Sequence, residues 1–141
     1  KMVKEKGLDC FYDSIENRKL CCAIRKVHPM NKILETLDGW ITGIRSDQNQ
    51  NRSDVRMLEI DEMHGNIVKV NPIIDWTYER TLDYIKKNNC PYNKLLDQGF
   101  LSIGCEPCTR PIKIGEGIRS GRWWWENDEN KECGLHMDHN K

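Results

Sequence analysis

The chain has 141 residues, and its 22 Lys+Arg balance 22 Asp+Glu, so the formal net charge is zero. That balance excludes a bulk electrostatic pull toward nucleic acid or a membrane surface, and any anion site must be a local cluster of cations. With 38% hydrophobic and 31% charged residues, the composition is that of a soluble globular chain and argues against wholesale disorder.

The length allows one domain. The chain opens on Lys1, inside a stretch that reads as helix. Lys1-Met2-Val3-Lys4-Glu5-Lys6 is not followed by an apolar core, which excludes a secretory signal. No apolar run approaches the roughly 20 residues of a membrane span. Asn17 to Leu37 reads as a helix interrupted near Pro29, with Ile33, Leu34 and Leu37 on one apolar stripe and Gly39 as its stop. Trp40-Ile41-Thr42-Gly43 reads as a short buried strand, and Arg45 to Asp54 as a polar loop. Val55 to Ile60 and Ile67 to Val70 form a hairpin around Asp61-Glu62-Met63-His64-Gly65-Asn66. Asp75 is positioned to cap a helix reaching about Lys87, with Tyr78, Leu82 and Ile85 at i, i+4 and i+7. Asn93 to Gln98 makes a further turn or two closed by Gly99. From Gly104 onward the chain is loop and tail. These short strands read as the edge of an α/β sheet.

Seven cysteines are many for this length, and the number is odd. A secreted disulfide framework favours an even count and a signal peptide, so the thiols point to a reducing, cytoplasmic compartment and to metal binding or catalysis. Cys21-Cys22 are adjacent on a helix, and Cys105-Glu106-Pro107-Cys108 is a C-x-x-C in a turn. Adjacent helical residues point about 100° apart. Two such thiolates suit two metal atoms of one cluster better than two corners of one ion. Spacing alone leaves three readings open: a [4Fe-4S] cube, a Cys₄ zinc site, or ordinary buried thiols. Pro107 fits poorly with a thioredoxin-like redox pair. Cys133 stands apart in Lys131-Glu132-Cys133-Gly134-Leu135-His136, where Lys131 and His136 favour its thiolate. The alternative for Cys133 is an inert tail thiol. Cys10 and Cys90 have no partner spacing and read as structural or incidental.

Cations flank the same positions. Arg25-Lys26 follow the cysteine pair, Arg110 follows the C-x-x-C, and Arg119 and Arg122 bracket Ser120-Gly121. Arg45 and Arg52 lie in the polar loop. Arginine forks match sulfate and phosphate oxygens, although most such side chains simply face solvent. Trp123-Trp124-Trp125 follows no amphipathic period and reads as packing.

Five stretches together carry a resemblance: Cys21-Cys22-Ala23-Ile24-Arg25-Lys26-Val27; Trp40-Ile41-Thr42-Gly43; Ser102-Ile103-Gly104-Cys105-Glu106-Pro107-Cys108-Thr109-Arg110; Gly121-Arg122-Trp123-Trp124-Trp125-Glu126; and Lys131-Glu132-Cys133-Gly134-Leu135-His136. They resemble the assimilatory adenylyl-sulfate (APS) reductases, the iron–sulfur branch of the sulfonucleotide reductases, over the C-terminal part of that family's domain. The resemblance implies an adenine-nucleotide α-hydrolase-like fold, a parallel sheet between helices. Residues 1–126 would form the C-terminal part of the reductase domain, and 127–141 a mobile tail. It implies a [4Fe-4S] cluster on Cys21, Cys22, Cys105 and Cys108, with Cys133 as nucleophile. Lys26, Arg52, Arg119, Arg122 and His136 would surround the phosphosulfate of APS. Thioredoxin would be the reductant, and a homo-oligomer is left open. In the loop Asp47-Gln48-Asn49-Gln50-Asn51-Arg52, Asn49 replaces the Ser usual in that family. A zinc-stabilised, non-catalytic binding module and a reductase also accepting 3′-phosphoadenylyl sulfate are the alternatives.

Overall fold

A computed structural model describes residues 2–48 and 52–127. Asn49, Cys133, His136 and nearly all of the tail therefore lie outside the described residues. The element order begins with α1 (Met2–Lys6), a 3₁₀ turn at Cys10–Tyr12, and α2 (Ile15–Cys22). Ser14 caps α2 by accepting from the Asn17 N–H at 3.1 Å. The helix then widens into a π-helical turn, Ala23–Val27, and resumes as α3 (His28–Leu34). Pro29 gives the physical reason. Its ring lacks an N–H and would crowd the carbonyl four residues back. In the wider turn the His28 N–H reaches Ala23 O, five residues back, and Pro29 falls in the first turn of the resumed helix.

The expected interruption near Pro29 is present, but two details differ. The helix ends at Leu34, before Gly39, and Gly39 is the first residue of a strand. Of the three-residue stripe only Leu34 is buried, while Ile33 and Leu37 are exposed.

The sheet consists of β1 (Gly39–Ile41), β2 (Leu58–Asp61) and β3 (Ile67–Val70), in the order β1-β3-β2. β1 pairs parallel with β3, and β2 pairs antiparallel with β3 as a hairpin. The fold class is α/β, as expected; the sheet among the described residues is small and mixed rather than all parallel. The register places Ile41, Val70 and Leu58 in one row, and Gly39, Val68 and Ile60 in the next, on the same face. That face is bare: Ile41 is 75% exposed, Leu58 64% and Ile60 58%. The expected buried strand is thus an edge strand with an open side. The opposite face carries Trp40, Lys69 and Glu59, with a Lys69–Glu59 ion pair at 2.6 Å and the Lys69 ammonium 5.8 Å from the Trp40 ring. Trp40 Nε1 donates to Asp61 Oδ2 at 2.9 Å. His64 Nδ1 lies 2.8 Å from Asp61 Oδ1, off the hydrogen-bonding direction.

Helix α4 (Tyr78–Lys87) presents Tyr78, Leu82 and Ile85 as its half-buried stripe, as the periodicity requires. Its cap is Thr77, whose hydroxyl accepts from the Arg80 N–H at 3.1 Å; Asp75 instead reaches Arg80 at 3.6 Å. Asp47 adds a second acceptor, taking the Tyr78 N–H at 2.6 Å and so tying the loop after β1 to this helix. A 3₁₀ helix, Lys94–Gln98, ends at Gly99, whose φ of +84° suits glycine. The described chain after Gly99 has no long element.

Candidate functional site

The site is assembled around a short turn. The Cys108 N–H donates to Cys105 O at 2.9 Å, closing the 3₁₀ turn Glu106–Cys108. The Thr109 hydroxyl donates to the same carbonyl at 2.9 Å and accepts from the Gly104 N–H at 3.1 Å. One side chain therefore fixes both ends of the C-x-x-C. Thr109 and Arg122 form an antiparallel bridge, in which the Arg110 N–H reaches Gly121 O at 3.0 Å and the Trp123 N–H reaches Cys108 O at 3.1 Å. Gly121 is required here, because a Cβ would lie 2.2 Å from Arg110 O.

The turn is pressed onto the helix that carries Cys21 and Cys22. Phe11, Cys108 and Trp123 are the buried cluster, with Cys21, Val27, Met30 and Trp125 packed against it. The Tyr12 hydroxyl donates to Pro107 O at 2.6 Å, locking the first 3₁₀ turn to the C-x-x-C. The triple tryptophan divides its labour. Trp123 is 2% exposed, Trp125 meets the Phe11 and Tyr12 rings, and Trp124 is exposed. Trp123 adopts φ +42°, the left-handed region, which turns its ring inward where the bridge ends.

The four predicted thiols are neighbours. Burial, followed by the charges of Cys105, Cys22 and Cys21, pushes the Cys108 thiol up to about 11 against the opposing pull of Arg122. Burial also raises the Cys21 thiol, opposed by Arg25 and reinforced by Cys10 and Cys105. Cys10, read from the sequence as structural or incidental, is buried within the electrostatic reach of Cys21. No described cysteine forms a disulfide. Among the described residues, no three His, Cys, Asp or Glu side chains come together closely enough to hold one metal ion. A single zinc would need its sulfurs about 2.3 Å from one centre. A cube gives each sulfur its own iron, and four thiols are the donor set such a centre takes.

The cations fall into two groups. Arg122 lies beside Cys108, with its guanidinium 4.5 Å from the Trp123 ring and donating to Ile103 O at 3.2 Å. Gly104 makes room for it, since a Cβ there would meet the guanidinium at 2.4 Å. The Arg122 N–H bonds Arg119 O at 2.9 Å, which places Arg119 one turn away. Lys26 lies in the π turn and is exposed. Arg52 belongs to the connection between β1 and β2, where it is buried and donates to Gln48 Oε1. Arg110, which also flanks the C-x-x-C, turns away to a bidentate pair with Glu116 at 2.8 and 2.9 Å.

Sequence reasoning missed one partnership, Arg18 with Glu126. Arg18 Nε donates to Glu126 Oε1 at 2.8 Å and Nη2 to Oε2 at 2.6 Å, with both side chains 2% exposed. The only signal was the Glu that ends the tryptophan run.

Comparison with known proteins places the chain in a family. The phosphoadenosine phosphosulfate reductase domain matches residues 1–111. An adenosine 5'-phosphosulfate reductase of Neisseria meningitidis serogroup B is 52% identical over 134 residues, covering 95% of this chain and 54% of that protein. Its counterpart in Allochromatium vinosum is 46% identical, over 95% of this chain and 52% of that protein. The Rhizobium tropici counterpart is 49% identical over 93% of this chain and 72% of its own length. Except for the last, the chain spans about half the length of these curated relatives. Among solved structures, the phosphoadenylyl-sulfate (PAPS) reductase from Candida auris, in a phosphate complex, is similar at TM-score 0.58 and 31% identity, over 74% of this chain and 48% of that one. The chain belongs to the phosphoadenosine phosphosulfate reductase domain family.

Proposed function

We propose that this chain is the cluster-bearing part of an APS reductase, acting in assimilatory sulfate reduction. The observation that carries the reading is that Cys21, Cys22 and Cys105 all lie within electrostatic reach of the buried Cys108, with Arg122 beside it. Identity near 50% to proteins named adenosine 5'-phosphosulfate reductase, over nearly all of the chain, supports APS as the substrate.

In this reading the four cysteines hold a [4Fe-4S] cluster, which when bound supplies a fixed frame and local charge. The Cys133 thiolate attacks the sulfur of APS in line. An S–S bond forms, the bond from sulfur to the bridging oxygen breaks, and AMP leaves with the electron pair. The enzyme then carries Cys133-S-SO₃⁻. Lys26, Arg52, Arg119 and Arg122, joined by His136, balance the charge that grows on the phosphate and sulfo oxygens. A thioredoxin thiolate attacks the Cys133 sulfur and sulfite departs with the S–S electron pair. The second thioredoxin thiol resolves the mixed disulfide, frees Cys133 and completes the two-electron oxidation of the dithiol. The segment carrying Cys133 has to meet both substrate and thioredoxin, which requires it to move between two positions.

The test is Cys133→Ser in the full native protein. Sulfite release from APS with reduced thioredoxin should vanish while iron and sulfide content stay at the wild-type level. Near-normal turnover would remove Cys133 from the chemistry. Stoichiometric zinc with no visible absorption would instead favour a zinc-stabilised module.

A further inference from the structure

Arg18 is a long cation, 1% exposed, in the helix that carries the cysteine pair. It sits one helical turn before Cys22, whose side chain leans back over that turn. Three groups surround it. Glu126 takes two hydrogen bonds, at 2.8 and 2.6 Å. The Trp123 ring lies under the guanidinium, 4.7 Å from centroid to Cζ. The Cys22 sulfur, one turn on, is close enough to favour the charged guanidinium. A buried ion pair is weak support for stability, because apolar side chains of similar volume often serve as well. What distinguishes this pair is its third partner, a sulfur of the thiolate site.

We propose that Arg18 is a positioning residue of the thiolate site, donating to the Cys22 sulfur while Glu126 fixes the plane of its guanidinium. The same pair fastens the Trp123–Glu126 stretch to the cysteine-bearing helix. The arrangement resembles the outer partners that orient metal ligands elsewhere: a donor to a ligating sulfur sets that ligand's direction and the electronic energy of the centre. Glu126 competes with Cys22 for one guanidinium, so it tunes how strongly Arg18 donates. This proposal rests on the iron–sulfur reading above.

The experiment uses the full native protein, reconstituted anaerobically with iron and sulfide. It follows the sulfur-to-iron charge-transfer band and the half-life of the centre against a chelator. In the double variant Arg18→Met/Glu126→Leu the urea midpoint should stay near wild type, while the band moves to lower energy, because the Cys22 lone pairs have lost a donor. The centre should be lost about 10-fold faster, the lower end of the range for outer-partner changes. Glu126→Gln alone should move the band the other way, since Arg18 then faces a neutral acceptor. A wild-type band and half-life in the double variant would make the pair merely structural. If that variant does not fold, an unshifted band in Glu126→Gln overturns the proposal on its own. A wild-type protein that takes up no iron overturns the reading of the site, and this proposal with it, before any variant is made.

Discussion

Around Cys108 the chain closes a core from two stretches far apart in sequence, an early one and a late one, whereas the three-stranded sheet leaves one of its faces bare. The first region draws Phe11, the cysteine helix and the Gly104–Glu126 stretch into contact, and joins them by the Tyr12–Pro107 bond, the Thr109–Arg122 bridge and the Arg18–Glu126 pair. The second fixes its polar face through Trp40, Asp61, Lys69 and Glu59, yet presents Ile41, Leu58 and Ile60 outward. A small region rich in thiols reaches closure with large aromatics and buried polar links, because aromatic rings bury much area per residue. A contiguous apolar sheet face that stays exposed is the mark of an interface rather than of a finished surface.

Substitutions can break or sharpen this contrast. Trp123→Ala should have the largest effect, about 3–5 kcal/mol from the lost ring and the cavity left behind. Urea denaturation measures it, and a loss under 1 kcal/mol would mean that Trp123 is not the keystone of the cysteine region. Trp40→Phe removes the donor to Asp61 in the sheet and should cost about 1–3 kcal/mol by leaving a buried acceptor unmade. The Glu116 carboxyl is held down to about 2, first by the Arg110 hydrogen bonds and then by the Lys113 N–H. Its folded pKa is depressed, so its contribution is present above the ordinary carboxylate range and is lost as pH falls toward 2. Glu116→Gln should therefore lower the thermal midpoint at pH 7 slightly, and the gap from wild type should close by pH 2. A gap that persists unchanged at pH 2 would contradict the Arg110 pairing. Ile60→Thr, on the bare face, should leave monomer stability within about 0.5 kcal/mol. A larger loss would show that this face is already covered.

Local signals in the sequence carried a good deal. Two strand-like runs on either side of residues 61–66 located the hairpin, the i, i+4, i+7 stripe located α4, and Gly99 ended its turn as a left-handed cap should. The errors have local causes. Thr77 displaced Asp75 as the cap because its hydroxyl is the one that reaches the Arg80 N–H. Trp40–Ile41 read as buried because hydrophobicity states a preference for burial, not whether a neighbour is there to satisfy it. The π turn is written only indirectly, as a proline inside an otherwise helical run.

For the site, residue type and spacing singled out Cys21, Cys22, Cys105 and Cys108 as candidate ligands and left cluster, zinc and ordinary thiols open, because thiolate chemistry and C-x-x-C geometry are local properties. That these pairs, more than 80 positions apart, face one another was decided only by the tertiary structure, through the aromatic core and the backbone bridge that fold the late segment onto the early helix. The same holds for Arg18 and Glu126. Each reads alone as an ordinary surface charge, and only the buried geometry that removes water from both makes them a pair, since desolvation is a property of the surroundings and not of the residue.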